Sequence, residues 1–190
     1  MIKTNSVLDA KGLACPMPIV KTKKAMNGLE AGEVLEVQAT DKGSTADMKA
    51  WAESTGHQYL GTVEEASFLK HYLRKAGGEE QKEKKHENVI SNEELLQKIE
   101  ENQNTIILDV REAAEYAFNH IPTAKSFPMG ELEKRMGEFD KKSEIFVICR
   151  TGSRSDLAAR KLMAAGFVQV INVVPGMSQW NGPTQISVNE

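Results

Sequence analysis

Two cysteines, Cys15 and Cys149, stand where a thiol could do chemistry. Cys149 follows the apolar run Ile145-Phe146-Val147-Ile148 and precedes Arg150-Thr151-Gly152-Ser153-Arg154, so a strand delivers it to a loop that opens a helix. Such a loop turns backbone N–H groups toward an anion, and the helix N-terminus adds partial positive charge. Thiols in these surroundings, with arginines beside them, are held as thiolates, the nucleophilic form. Arg150 and Arg154 sit at the positive end of the predicted helix, where cations oppose the dipole and call for an anion. Cys15 precedes Pro16-Met17-Pro18; proline at the first helical position predicts Cys15 as the N-cap. Pro16 offers no N–H, so this thiolate should be the weaker of the two, better suited to carrying than to activating. A lone cysteine can also be a small core residue. The two arginines argue against that for Cys149, whereas for Cys15 a plain helix-start role is equally open on these residues alone.

The rest of the composition narrows the setting. A net charge of -3 with scattered basic residues gives no reason to expect nucleic acid. The start, Met1-Ile2-Lys3-Thr4-Asn5, lacks the apolar core of a leader, and no segment reaches about 18 apolar residues, so no membrane is expected and a cytoplasmic location follows. Cysteines in a reducing compartment are free, metal-bound or catalytic. Neither has a second cysteine or a histidine at ligand spacing, and His57, His71, His86 and His120 are dispersed, so neither metal nor cofactor is expected. His57 and His120 read as structural hydrogen-bonding groups, and Trp51, Trp180, Phe127 and Phe146 as core anchors.

The polar stretch 76–87, with its cluster Lys82 to Lys85, cannot bury an apolar face and reads as a solvated linker between domains at 1–75 and 88–190. In the first, a short strand at Ser6 is followed by a helix with Ile19, Val20, Lys23 and Met26 at helical spacing, stopping at Asn27-Gly28. A strand from Val34 to Ala39 leads to a helix capped by Ser44, carrying Met48, Trp51 and Ala52 inward and ended by Gly56; two strands follow. The order βαβαββ predicts a mixed sheet under two helices, a two-layer α/β sandwich. In the second domain, Ser91 opens a helix, and β-rich runs at Thr105 to Val110, Ile145 to Ile148 and Val168 to Val173 alternate with helices near Glu112, Leu132 and Ser153. This is a parallel-sheet α/β domain.

Two resemblances sharpen these readings. Asp109-Val110-Arg111-Glu112, Glu115-Tyr116, His120-Ile121-Pro122 and Cys149-Arg150-Thr151-Gly152-Ser153-Arg154 resemble the single-domain rhodanese family across about 88–182, with Gly176-Met177-Ser178-Gln179-Trp180 similar to its closing motif. The resemblance implies a rhodanese-like fold in which Cys149 takes sulfane sulfur from a donor such as thiosulfate and holds it as a persulfide. Arg150, Thr151, Gly152, Ser153 and Arg154 would then form the substrate loop, with Asp109 and Arg111 nearby, Arg111 mainly in a structural or anion-contacting role. Thr123 and Pro175 stand where that family commonly has glycine. Gly12-Leu13-Ala14-Cys15-Pro16-Met17-Pro18, with Asp41-Lys42-Gly43-Ser44, Trp51 and Gly56-His57, resembles the TusA-type (SirA-like) sulfur carriers over about 3–74. That implies a Cys15 that receives a persulfide and relays it. Lys42 replaces a proline common in that family.

The expected function is therefore a sulfurtransferase and sulfur carrier. Cys149 would accept sulfur from thiosulfate or a persulfide donor and pass it to Cys15 or to an external thiol acceptor protein. A non-enzymatic redox or sulfide-responsive adaptor is the alternative. A phosphatase or arsenate reductase fits less well, because its loop has Cys-x5-Arg, whereas Cys149 to Arg154 is Cys-x4-Arg.

Overall fold

The computed structural model describes residues 2–77 and 86–188. The chain divides into two compact units, one built mainly from Met1–Gly77 and the other from Gly78–Ser187. Most of the expected linker, including Lys82 to Lys85, lies outside the described residues.

The first unit runs β1 (Ser6–Asp9), α1 (Met17–Asn27), β2 (Val34–Ala39), α2 (Ser44–Thr55), β3 (Gln58–Glu64) and β4 (Leu69–Arg74). Its sheet order is β1-β2-β4-β3, with β1 and β2 parallel and the other pairs antiparallel. Met26 of α1 and Met48 and Ala52 of α2 pack with Leu35, Val37 and Leu73 of the sheet, which gives the two-layer sandwich. Three local expectations are corrected. The face α1 buries is Pro18, Thr22 and Met26, with Ile19 half-buried, while Val20 and Lys23 point outward. The i, i+4, i+8 spacing is helical, but a proline and a threonine hide it from a hydrophobicity reading; Thr22 earns its burial by donating to the Met48 sulfur at 3.6 Å. Ser44 is the first residue of α2 rather than its cap, which is Gly43. Cys15 stands one residue outside the cap of α1, because Pro16 occupies that position.

The second unit contains β5 (Val89–Ser91), α3 (Asn92–Glu101), β6 (Ile106–Asp109), α4 (Ala113–Phe118), β7 (Ala124–Ser126), α5 (Leu132–Arg135), β8 (Glu144–Ile148), α6 (Ser153–Ala164) and β9 (Gln169–Val174). All neighbours in the order β5-β9-β8-β6-β7 are parallel. Two of these strands, β5 and β7, were not expected; at three residues each they are too short to show a period. Alternation along β8 sends Ile145 and Val147 into a core with Leu132, Ala158 and Leu162, and Phe146 and Ile148 into another with Leu95. Helices therefore cover both faces, which explains why β6 and β8 read as continuous apolar runs.

Candidate functional site

Cys149 follows the last residue of β8, whose partner in register on β6 is Asp109. A parallel sheet releases its strands at the carboxyl edge into loops that meet helix N-termini, and Cys149 sits at such a junction with only 1% of its surface exposed. Gly152, the cap of α6, takes a φ of +90°. That left-handed backbone suits glycine and turns its N–H onto the Cys149 Sγ at 3.1 Å. The Ser155 hydroxyl approaches the same sulfur at 3.3 Å and the Asn172 Oδ1 at 2.6 Å. Its single proton serves one acceptor at a time. Asn172 Nδ2 in turn donates to the Gly152 carbonyl at 3.1 Å, so one buried amide fixes both donors that reach the sulfur.

The arginines divide. Arg154 is buried and donates to both carboxylate oxygens of Glu115, at 2.7 and 3.0 Å. The anion that its position at the helix start called for is thus a residue of α4, and Arg154 ties the loop to that helix. Arg111 grips Asp109 through Nε and a terminal nitrogen, the shortest contact 2.6 Å, and also donates to the Asn119 carbonyl at 2.6 Å. Both partners are buried, which makes them a clamp at the end of β6. Arg150, Thr151 and Ser153 remain half-buried around the loop.

The closing motif braces this loop from its other side. Met177 N–H donates to the Cys149 carbonyl at 2.8 Å and Ser178 N–H to the Arg150 carbonyl at 2.9 Å. Gly176 has a φ of +85°, and a Cβ there would fall 2.4 Å from the Cys149 carbonyl oxygen. Asn92 Nδ2 donates to the Gly176 carbonyl at 3.0 Å, and its Oδ1 accepts from the Gly176 N–H at 3.2 Å.

Cys15 is exposed and lines a small crevice with Pro18, Ile19, Asp41, Ser44 and Asp47. The Asp47 carboxylate in that crevice raises its pKa above the ordinary thiol value, with desolvation and the Asp41 charge acting the same way. The weaker thiolate expected for Cys15 thus has an additional cause, carboxylates rather than only a missing N–H. Behind the crevice a buried chain of polar groups sets the loop. Ser44 Oγ donates to the Asp41 carbonyl and meets His71 Nε2 at 2.8 Å, while His71 Nδ1 lies 2.9 Å from Thr62 Oγ1. Since the Ser44 proton is committed to Asp41, His71 donates from Nε2 and accepts at Nδ1.

Other singled-out residues are structural. His57 Nδ1 accepts from the Ala76 N–H, and His120 stacks on Tyr116 and meets its carbonyl oxygen at 2.7 Å. Phe127 and Phe146 are fully buried, with Trp51 and Trp180 packed at core margins. Among the described residues no cluster of three possible metal ligands occurs, and no helix is long and apolar enough to cross a membrane. The sequence reading missed Ser155, Asn172, Asn92 and Asp47. Asn172 carried a signal, because an amide inside Val170-Ile171-Asn172-Val173 must find polar partners when its strand is buried.

The chain thus consists of two α/β units, each with one free cysteine beside a helix N-terminus. The family described as "Sulfurtransferase TusA" matches residues 6–75, and "Rhodanese-like domain" matches 91–183. The chain is 55% identical to the "Putative sulfur carrier protein YrkF" of Bacillus subtilis (strain 168), over 97% of this chain and 100% of that one. A stretch of 69 residues is 42% identical to "Sulfur carrier protein TusA" of Allochromatium vinosum, over 36% of this chain and 91% of that one. A "Sulfurtransferase" of the same organism is 34% identical over 49% of this chain and 87% of its own length. A solved rhodanese-like domain protein from Staphylococcus aureus is 32% identical, covers 52% of this chain and 97% of its own, and has a TM-score of 0.49. The chain belongs to the family in which a TusA domain precedes a rhodanese-like domain, and its chemistry is sulfur transfer.

Proposed function

We propose that Cys149 is the thiol that accepts sulfane sulfur, from thiosulfate or from a low-molecular-weight or protein persulfide, and that Cys15 or an external thiol acceptor protein receives it next. The observation that carries this is the convergence of the Gly152 N–H and the Ser155 hydroxyl on the Cys149 sulfur. In the first step the Cys149 sulfur attacks the outer sulfur of the donor. A bond forms between the two sulfurs, the donor's own bond to that sulfur breaks, and its electron pair leaves with sulfite or with the donor thiolate. The persulfide anion that results would lie among the donors of the loop, with Arg150 and the N–H groups of Thr151, Gly152 and Ser153 as contacts for the incoming anion. Arg154, Arg111 and Asp109 act by holding the loop's shape. In the second step an acceptor thiolate attacks the outer sulfur, and Cys149 departs with the electron pair and is reprotonated.

The test is to incubate the wild type, Cys149→Ser and Cys15→Ser with thiosulfate or a persulfide donor and to locate a single added sulfur by peptide mass spectrometry. Sulfur on Cys149 of the wild type and of Cys15→Ser is expected, with sulfur on Cys15 depending on Cys149. If neither cysteine of the wild type gains sulfur, the reading is wrong.

A further inference from the structure

Cys15 and Cys149 present opposite surroundings to a bound sulfur. At Cys149 the Gly152 N–H donates to the sulfur, and the Ser155 hydroxyl stands 3.3 Å from it with a proton it can turn from Asn172 to the sulfur. At Cys15 the charged groups that line the same small crevice are acceptors, the Asp47 carboxylate in the first turn of α2 and the Asp41 carboxylate of the β2–α2 loop. From α1 the crevice receives only Pro18 and Ile19, which carry no charge, and Pro16 has no N–H to give. The empty thiol, carrying its proton, is neutral beside these carboxylates. A persulfide is more acidic than a thiol and has lost that proton at neutral pH, so two like charges then face each other across the crevice.

We propose that Asp47, backed by Asp41, is the residue that keeps Cys15 from retaining sulfur, so that Cys149 stores the persulfide and Cys15 only conveys it. This rests on the sulfur-transfer reading above and adds to it a residue and a direction. Passing sulfur from Cys149 to Cys15 runs against the electrostatics of the two sites and is drawn forward by onward transfer. In that onward step an acceptor thiolate attacks the outer sulfur on Cys15, the sulfur–sulfur bond breaks, and Cys15 keeps the electron pair. It takes one proton from solvent and is again a neutral thiol beside Asp47. No external oxidant or reductant enters, since one thiol is oxidised to a persulfide as another persulfide is reduced to a thiol. Ser44, fixed through His71 and the Asp41 carbonyl, holds the carboxylate-bearing loop against the thiol.

The experiment compares the full-length wild type with Asp47→Asn and Asp47→Glu. Each is equilibrated with a glutathione and glutathione persulfide mixture, alkylated, and analysed by peptide mass spectrometry, with the sulfur on Cys149 of the same chain as internal reference. Asp47→Asn should raise the Cys15 to Cys149 ratio of persulfide by up to about tenfold, the change in equilibrium that one unit of thiol acidity represents. Asp47→Glu should keep the ratio close to wild type. In parallel, the pH at which Cys15 of the empty protein reaches half its maximal alkylation rate should fall in Asp47→Asn and stay high in Asp47→Glu, which a merely structural Asp47 would not produce. An unchanged ratio in Asp47→Asn, or an unchanged alkylation midpoint, overturns the proposal. Failure of the sulfur-transfer reading itself would show separately, as a wild-type chain with sulfur on neither cysteine.

Discussion

At the scale of single residues, the second unit uses a buried ion pair to hold the Cys149 loop in shape. Arg154 and Glu115 are 39 positions apart in sequence and almost wholly excluded from water, yet they form a bidentate pair. Removing one partner of such a pair strands the other, which costs about 3–5 kcal/mol. Glu115→Ala is therefore expected to destabilise the second unit by that order in a urea titration and to lower sulfur loading of Cys149, since the loop loses its anchor to α4. Loading that survives at full rate in a destabilised variant would separate the anchor from the chemistry. The sequence put Arg154 in the loop that follows Cys149 but could not name its counter-ion, because tertiary pairing decides which of the chain's carboxylates arrives. The same limit hid Asp47 from a reading of Cys15. By contrast Gly152 and Gly176 were legible as members of motifs, and their positive φ angles and the 2.4 Å approach at Gly176 supply the physical reason.

Elements explain what patterns could and could not reveal. The strands β2, β6, β8 and β9 and the helices α2, α3 and α6 announce themselves through apolar runs, helical spacing and terminal signals such as the capping box of Ser91 and Glu94. β5 and β7 do not, and α1 misleads because the residues it buries include Pro18 and Thr22. On β4, reaching Ser44 of α2, is His71, fully buried, whose pKa burial pushes down to about 4. A histidine depressed from its ordinary value of about 6.5 leaves folding unaffected at higher pH, where both states are neutral. As pH falls below 6.5 the unfolded chain takes the proton first, so stability of the first unit declines until about pH 4, by about 3 kcal/mol in total. Urea unfolding from pH 7.5 to 4 should show this slope in a Trp180→Phe background, where Trp51 reports the first unit alone. His71→Asn should flatten that slope while lowering stability at pH 7.5. A wild-type slope retained in the variant would assign the acid sensitivity to other groups.

For the whole molecule the open quantity is whether joining the two domains matters. Fusion confers an advantage only if the second thiol meets the first more often within a chain than between chains. A segment of about 12 residues is at most roughly 40 Å long, and joining two sites over such a length gives effective concentrations on the order of millimolar. Protein at micromolar concentration would then exchange sulfur far faster within a chain than between chains. The prediction is that wild-type protein loaded on Cys149 and freed of donor delivers sulfur to Cys15 with a rate independent of protein concentration. A mixture of Cys15→Ser chains, loaded on Cys149, with empty Cys149→Ser chains must react between molecules, and its rate should rise in proportion to concentration. At 10 μM the wild type is expected to be faster by about two orders of magnitude. On the proposal that Cys15 retains sulfur poorly, the readout uses a trapping acceptor thiol, and the rate is followed as persulfide appearing on that acceptor. Equal rates in wild type and mixture at every concentration would mean that the tether brings the two thiols together no better than diffusion does, and that each domain works with external partners.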